Sequence, residues 1–155
     1  MSPSSKIAIL GLGNTARRDD GIGIHILTRL KQQLKRRDIV FFEFGIAGLD
    51  IINYINEYPK VFLIDAIDAD LTPGTLKIFK LNEATYQAKE RKLSSHEFTL
   101  NDVFNLYQTF QGTSDVRIAG IQGKDTSYGT EMTPELETAQ EKITAEITTF
   151  IKSWK

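Results

Sequence analysis

Four side chains in this sequence have the type and placing to do chemistry: Asp19, Asp20, Asp65 and His96. Asp19 and Asp20 sit side by side after the turn Gly11-Leu12-Gly13-Asn14, where a helix begins. Adjacent carboxylates just past the C-terminal end of a central strand are costly, because like charges repel and burial disfavours ionisation. A cation, a substrate or a helix N-terminus has to offset that cost, and a helix start supplies part of the offset through its free N–H groups and its dipole. Asp65 closes the apolar run Val61-Phe62-Leu63-Ile64, and His96 lies in a polar stretch beside Ser94, Ser95 and Glu97. A lone loop histidine is ordinarily a surface residue. Placed near Asp20 and Asp65, however, His96 completes a set of two oxygens and one nitrogen, which leaves coordination positions open on a divalent metal. The other histidine, His25, falls inside the first helical pattern, turned away from Ile22 and Ile26, and reads as a structural or surface residue.

These residues can meet only if several strand ends open on one crevice. Lys6–Leu10 reads as a first strand, behind a loose tail at residues 1–5. Ile22, Ile26, Leu27, Leu30 and Leu34 recur at helical spacing over about Asp20–Arg36. The basic residues Lys31, Lys35, Arg36 and Arg37 close that pattern, where cations suit the helix dipole. Asp38–Phe44 reads as strand two, Gly45–Gly48 as a turn, and Leu49–Tyr58 as a short helix that Pro59 ends. Lys60–Ala66 is strand three, apolar without alternation, as in a parallel strand covered on both faces. Thr75–Leu81 alternates and follows Pro73-Gly74, which predicts an antiparallel hairpin strand at an edge. Thr99-Leu100-Asn101-Asp102 resembles a capping box opening a helix to about Phe110, and Val116–Gln122 is strand five. Thr133-Pro134-Glu135 starts a long amphipathic C-terminal helix, with Thr133 as N-cap. The fold expected is α/β: one three-layer α/β/α domain over residues 1–155, with a five-stranded, mainly parallel twisted sheet and one antiparallel edge strand. Function in such sheets gathers beyond the C-terminal strand ends. With strands one and three as neighbours, Asp19 or Asp20 and Asp65 face one crevice.

Composition narrows the function classes. A net charge of −1 provides no global field for nucleic acid or an anionic membrane. The absence of cysteine excludes a thiolate nucleophile, disulfides and a cysteine-ligated zinc. No signal-peptide core and no run of about 20 apolar residues is visible, so a cytoplasmic protein is expected. Gly11-Leu12-Gly13-Asn14-Thr15-Ala16 fits the dinucleotide pattern G-x-G-x-x-G/A, with Glu43 ending strand two. Against that reading, two carboxylates at the helix start repel a pyrophosphate. No Ser–His–Asp, Cys–His or H-E-x-x-H arrangement is visible, so hydrolysis here would be metal- or carboxylate-assisted.

The order G-L-G-N, D-D-G-I-G, V-F-L-I-D-A, P-G-T and then a loop histidine before a helix resembles the nickel–iron hydrogenase maturation endopeptidases, from about Lys6 to Ile151. The resemblance implies an enzyme that trims the C-terminal extension of a hydrogenase large-subunit precursor after nickel insertion. It implies Asp20, Asp65 and His96 as metal-binding and catalytic residues, with nickel supplied by the substrate. It also implies a substrate-recognition role for the turn after strand two, here Glu43-Phe44-Gly45-Ile46-Ala47-Gly48, and so for Glu43 and Gly45. Glu43 stands where the family has Asp, and its alternative reading is a strand-end carboxylate facing solvent. Peptidyl-tRNA hydrolases share G-L-G-N but continue with an R-H-N segment absent here, and the near-neutral charge argues against a tRNA ligand. A nucleotide-binding regulatory module, or a scaffold that binds the hydrogenase subunit without cutting it, remains the non-enzymatic alternative.

Overall fold

In the computed structural model the described residues are 6–45, 50–81 and 100–154. The calls on the tail 1–5, on Ile46–Gly48 of the turn, on the polar stretch 82–93 and on His96 lie outside them.

Strand β1 (Ile7–Leu12) is buried along its whole length and runs between β2 (Ile39–Gly45) and β3 (Lys60–Ile67), parallel to both. β5 (Asp115–Gln122) continues the parallel sheet beside β3, and β4 (Leu76–Lys80) closes the edge antiparallel to β5. The order is β2-β1-β3-β5-β4. The expected antiparallel edge strand is therefore present, with a different partner: β4 makes no hairpin with β3. β3 already has β1 on one side and β5 on the other, so no β3 edge remains for it to pair with. The Pro73-Gly74 connection carries the chain past β5 instead, where Gly74 N–H donates to Gln122 O (2.8 Å) and Gln122 N–H to Thr75 O (3.0 Å).

Side chains alternate across the strands and define two cores. Ile7, Ile9, Phe62, Ile64, Ala119 and Ile121 pack under helices α1 (Ile22–Gln33) and α4 (Pro134–Ser153). Ala8, Leu10, Val61, Leu63 and Ile118 pack under α2 (Ile51–Glu57) and α3 (Leu100–Thr109). This is the three-layer arrangement, and both faces of the parallel strands are covered, as their unbroken apolar runs require. α1 is shorter than its apolar pattern, because Leu34 turns extended and the basic residues beyond it lie outside the helix. Arg36 folds onto Asp38 through Nε (2.9 Å) and Nη2 (2.5 Å), which holds the Asp38 carboxyl below its usual range and the guanidinium above its own. Among the described residues no helix is long and apolar enough to cross a membrane.

α1 enters the sheet at very close range. A Cβ on Gly23 would lie 2.3 Å from both the Leu12 and the Ile64 carbonyl oxygens, and one on Gly11 would lie 2.8 Å from Gly23 O. The first turn of α1 thus rests directly on the ends of β1 and β3, the two strands that carry the candidate site. Gly23→Ala should cost about 2 kcal/mol net, because backbone overpacking exceeds the helix-propensity gain of about 1 kcal/mol. Thermal unfolding should show the melting temperature falling by roughly 4–8 °C.

Candidate active site

β1 leaves the sheet at Gly13, whose φ of +125° is a conformation side chains rarely adopt. A Cβ there would meet Asp20 O at 2.0 Å and Asp65 Oδ1 at 3.5 Å, so a bare backbone is what lets the Asp20 turn and the end of β3 close on one another. The chain then folds back through Asn14–Arg17 into a single 3-10 turn, Arg18–Gly21, which precedes α1 and carries both carboxylates. The helix itself begins only at Ile22, two residues later than its apolar pattern suggests.

Asp20 is 1% exposed, and its Oδ2 accepts the Asn14 N–H (2.9 Å). Asp65, near the end of β3, is fully buried. Its Oδ1 accepts the N–H of Ala66 (2.8 Å), while Oδ2 has no hydrogen-bond partner among the described residues. Burial pushes the Asp65 carboxyl well above the usual carboxylate range. The Asp20 charge pushes it further, and the Ala66 N–H pulls it partly back. The strand ends therefore bring Asp20 and Asp65 into electrostatic contact. His96 lies outside the described residues, among which no group of three or more His, Cys, Asp or Glu is placed to hold a metal.

A buried acceptor with an unused lone pair beside a second carboxylate suits two occupants, a cation and a proton. Two hard oxygen donors fit a divalent ion, and a histidine nitrogen would broaden the choice to transition metals. Glu43 and Gly45 lie at the same end of the sheet, in register with Gly11 and Leu12 of β1. Glu43 is exposed. His25 is half-buried on α1 and lines a groove with Glu131, Met132 and Pro134 at the start of α4. Asp19 is as buried as Asp65, but it is held by the segment before α4. Asn14 is the contributor that the sequence reading passed over. The signal was present in the Gly-x-Gly-Asn turn, whose last N–H is the one that meets Asp20.

The sequence model of the HycI-type hydrogenase maturation proteases matches residues 24–150. The chain belongs to the hydrogenase maturation protease family. Among family relatives, it is 28% identical over 104 residues to the hydrogenase expression/formation protein HupD of Rhizobium leguminosarum bv. viciae, a match covering 66% of this chain and 52% of HupD. It is 25% identical over 151 residues to the hydrogenase expression/formation protein HoxM of Cupriavidus necator, covering 96% of this chain and 75% of HoxM. The chain thus spans about half the length of HupD. Its fold matches the hydrogenase-maturating endopeptidase HybD from E. coli with a TM-score of 0.81 at 22% identity, covering 96% of this chain and 94% of HybD.

The Asp65 environment has a consequence for stability. Because the folded-state value is raised, the folded protein holds a proton that the unfolded chain would release. Stability therefore falls as pH rises from the ordinary aspartate value, about 4, towards the raised folded value. Asp65→Asn has nearly the same shape and no charge to desolvate. Thermal melts of the metal-free protein should show Asp65→Asn more stable than wild type at pH 7, with the advantage vanishing near pH 4.

Proposed function

We propose that this chain is an endopeptidase that removes the C-terminal extension of a nickel–iron hydrogenase large-subunit precursor after nickel has been inserted. The observation that carries the reading is the pairing of Asp20 with Asp65, whose buried Oδ2 has no partner among the described residues. Such an acceptor is expensive to leave unmade unless a ligand completes it. Membership of the protease family supplies the substrate class.

In this proposal the nickel arrives as part of the substrate, and Asp20, Asp65 and His96 hold it. A divalent ion at that position polarises the scissile carbonyl or acidifies a water. The chain's own contribution is orientation. The Ala66 N–H fixes Asp65 through Oδ1 and leaves Oδ2 aimed at the ligand, while the Asn14 N–H fixes Asp20 through Oδ2. Low dielectric strengthens both carboxylates' attraction for a cation. An open three-ligand site also separates a nickel-loaded precursor from an empty one, because only the loaded one offsets the cost of ionising Asp65 beside Asp20. Glu43 and Gly45, at the neighbouring strand end, are proposed to read the polypeptide around the cut. The near-neutral charge gives no reason to add nucleic acid as a partner, and the absence of cysteine suits the cytoplasm as the compartment.

A second reading draws on the raised Asp65 value: the two carboxylates share a proton and activate water themselves, as an aspartic-type pair. The nucleotide-binding alternative is disfavoured, because the glycine turn packs against the buried Asp20 and Asp65, whose charge would repel a pyrophosphate.

The test is cleavage of a nickel-loaded precursor by purified variants. Asp20→Asn, Asp65→Asn and His96→Ala should each slow cutting by more than the roughly 10–100-fold typical of residues that only support a metal ligand. Unchanged cleavage in any of the three removes that residue from the site. Full activity of His96→Ala alone would favour the carboxylate pair.

A further inference from the structure

Asp19 is a fully buried carboxylate that the reaction above does not use. Its Oδ2 accepts the N–H groups of Lys124 (2.8 Å) and Asp125 (3.0 Å), and its Oδ1 accepts the N–H of Thr133 (2.8 Å). The Thr133 hydroxyl lies 2.9 Å from Oδ2 and 3.1 Å from Oδ1. Thr133 has the backbone of an N-cap (φ −62°, ψ 154°) but makes no side-chain cap bond, because its hydroxyl is spent on Asp19. The residues beside Asp19 grip the same segment. Arg17 Nε donates to Thr126 O (2.9 Å), the Arg18 N–H to Gly129 O (2.9 Å) and the Asp19 N–H to Asp125 O (3.1 Å). The Gly129 N–H donates back to Ala16 O (2.9 Å). Arg18 adopts φ +46°, which non-glycine residues seldom do, and its guanidinium lies where a Cβ on Gly129 would be, 2.5 Å from Cζ.

We propose that Asp19 is a positioning residue for Asp20. The two aspartates are consecutive in a 3-10 turn of one revolution, so their side chains leave the axis roughly 120° apart. Fastening one direction therefore sets the other. With Asp19 clamped to residues 124–133, the turn cannot rotate without breaking that clamp. Any such rotation would also carry the Asp20 carboxylate off the Asn14 N–H and away from Asp65. The adjacent carboxylates thus divide the work: the first anchors the turn, and the second faces the ligand. The catalytic part of this inference rests on the endopeptidase reading; the structural part does not.

Asp19→Asn tests the idea sharply, because each carboxylate oxygen faces at least one backbone N–H. The amide NH2 must oppose a donor in either orientation. Backbone hydrogen exchange by NMR should show the Asn14 N–H losing at least about tenfold in protection, while the strand amides of Ile9 and Phe62 exchange as in wild type. With nickel-loaded precursor, kcat should fall by about 10–100-fold, with KM within about twofold. Thr133→Ala removes the hydroxyl with the γ-methyl but keeps the backbone N–H bond to Asp19, and should show the same pattern, with a fall of a few-fold in kcat. If Asp19→Asn fails to fold, Thr133→Ala decides by the same comparison. Unchanged protection at Asn14 overturns the proposal, as does equal loss at Asn14, Ile9 and Phe62, which would make Asp19 a residue of general stability. If wild type cuts no precursor, the endopeptidase reading fails, and the exchange data still decide the role of Asp19.

Discussion

The cost of ionising Asp65 in a closed interior, beside the charge of Asp20, is the constraint that the rest of the site answers to. Left alone, that arrangement would be relieved by moving either carboxylate towards water. The structure prevents this at each point where it could happen. Gly13 lets the Asp20 turn lie against the end of β3, Gly23 seats α1 on the same strand ends, and the Ala66 and Asn14 N–H groups each hold one carboxylate oxygen. The Oδ2 of Asp65, without a hydrogen-bond partner among the described residues, is what remains after this restraint. Keeping such a group buried costs the folded protein stability at neutral pH.

The two layers of helix have unequal parts in this. α2 and α3 cover one sheet face through aliphatic and aromatic packing, with the Phe42 ring tilted and the Phe44 ring edge-on against Tyr54. α1 and α4 cover the other face and also reach the site. α1 grows directly out of the Asp20 turn, and the residue before α4, Thr133, holds Asp19. α4 is therefore joined to the site through the residue that precedes it and to the core along its length, where Phe150 and, just past its end, Trp154 pack around Phe62.

Much of this was legible in the sequence, for identifiable reasons. An apolar run ending at Asp65, and a glycine turn leading from the first strand into Asp20, point to parallel strands whose C-terminal ends lie together, and so the sequence alone suffices to pair Asp20 with Asp65. The pairing of β4 was not legible. Its antiparallel sense and edge position follow from its own alternation, but its partner depends on which neighbour still has an open edge, and that is settled by β1 and β5 flanking β3. Nor was the role of Asp19, whose donors lie 105 to 114 residues away in a polar loop without periodicity. Thr133 shows the same limit: its backbone obeys the N-cap expectation, while its hydroxyl answers a tertiary demand. The 3-10 turn was hidden because its residues continue smoothly into the apolar pattern of α1.

The central claim is that Asp20 and Asp65 form a site completed by the substrate's own metal. Cleavage by the purified protein of one large-subunit precursor, prepared with and without nickel, tests it most directly. The account predicts that only the loaded precursor is shortened at its C-terminus. Equal cleavage of both forms would contradict it and leave the carboxylates to act without a metal.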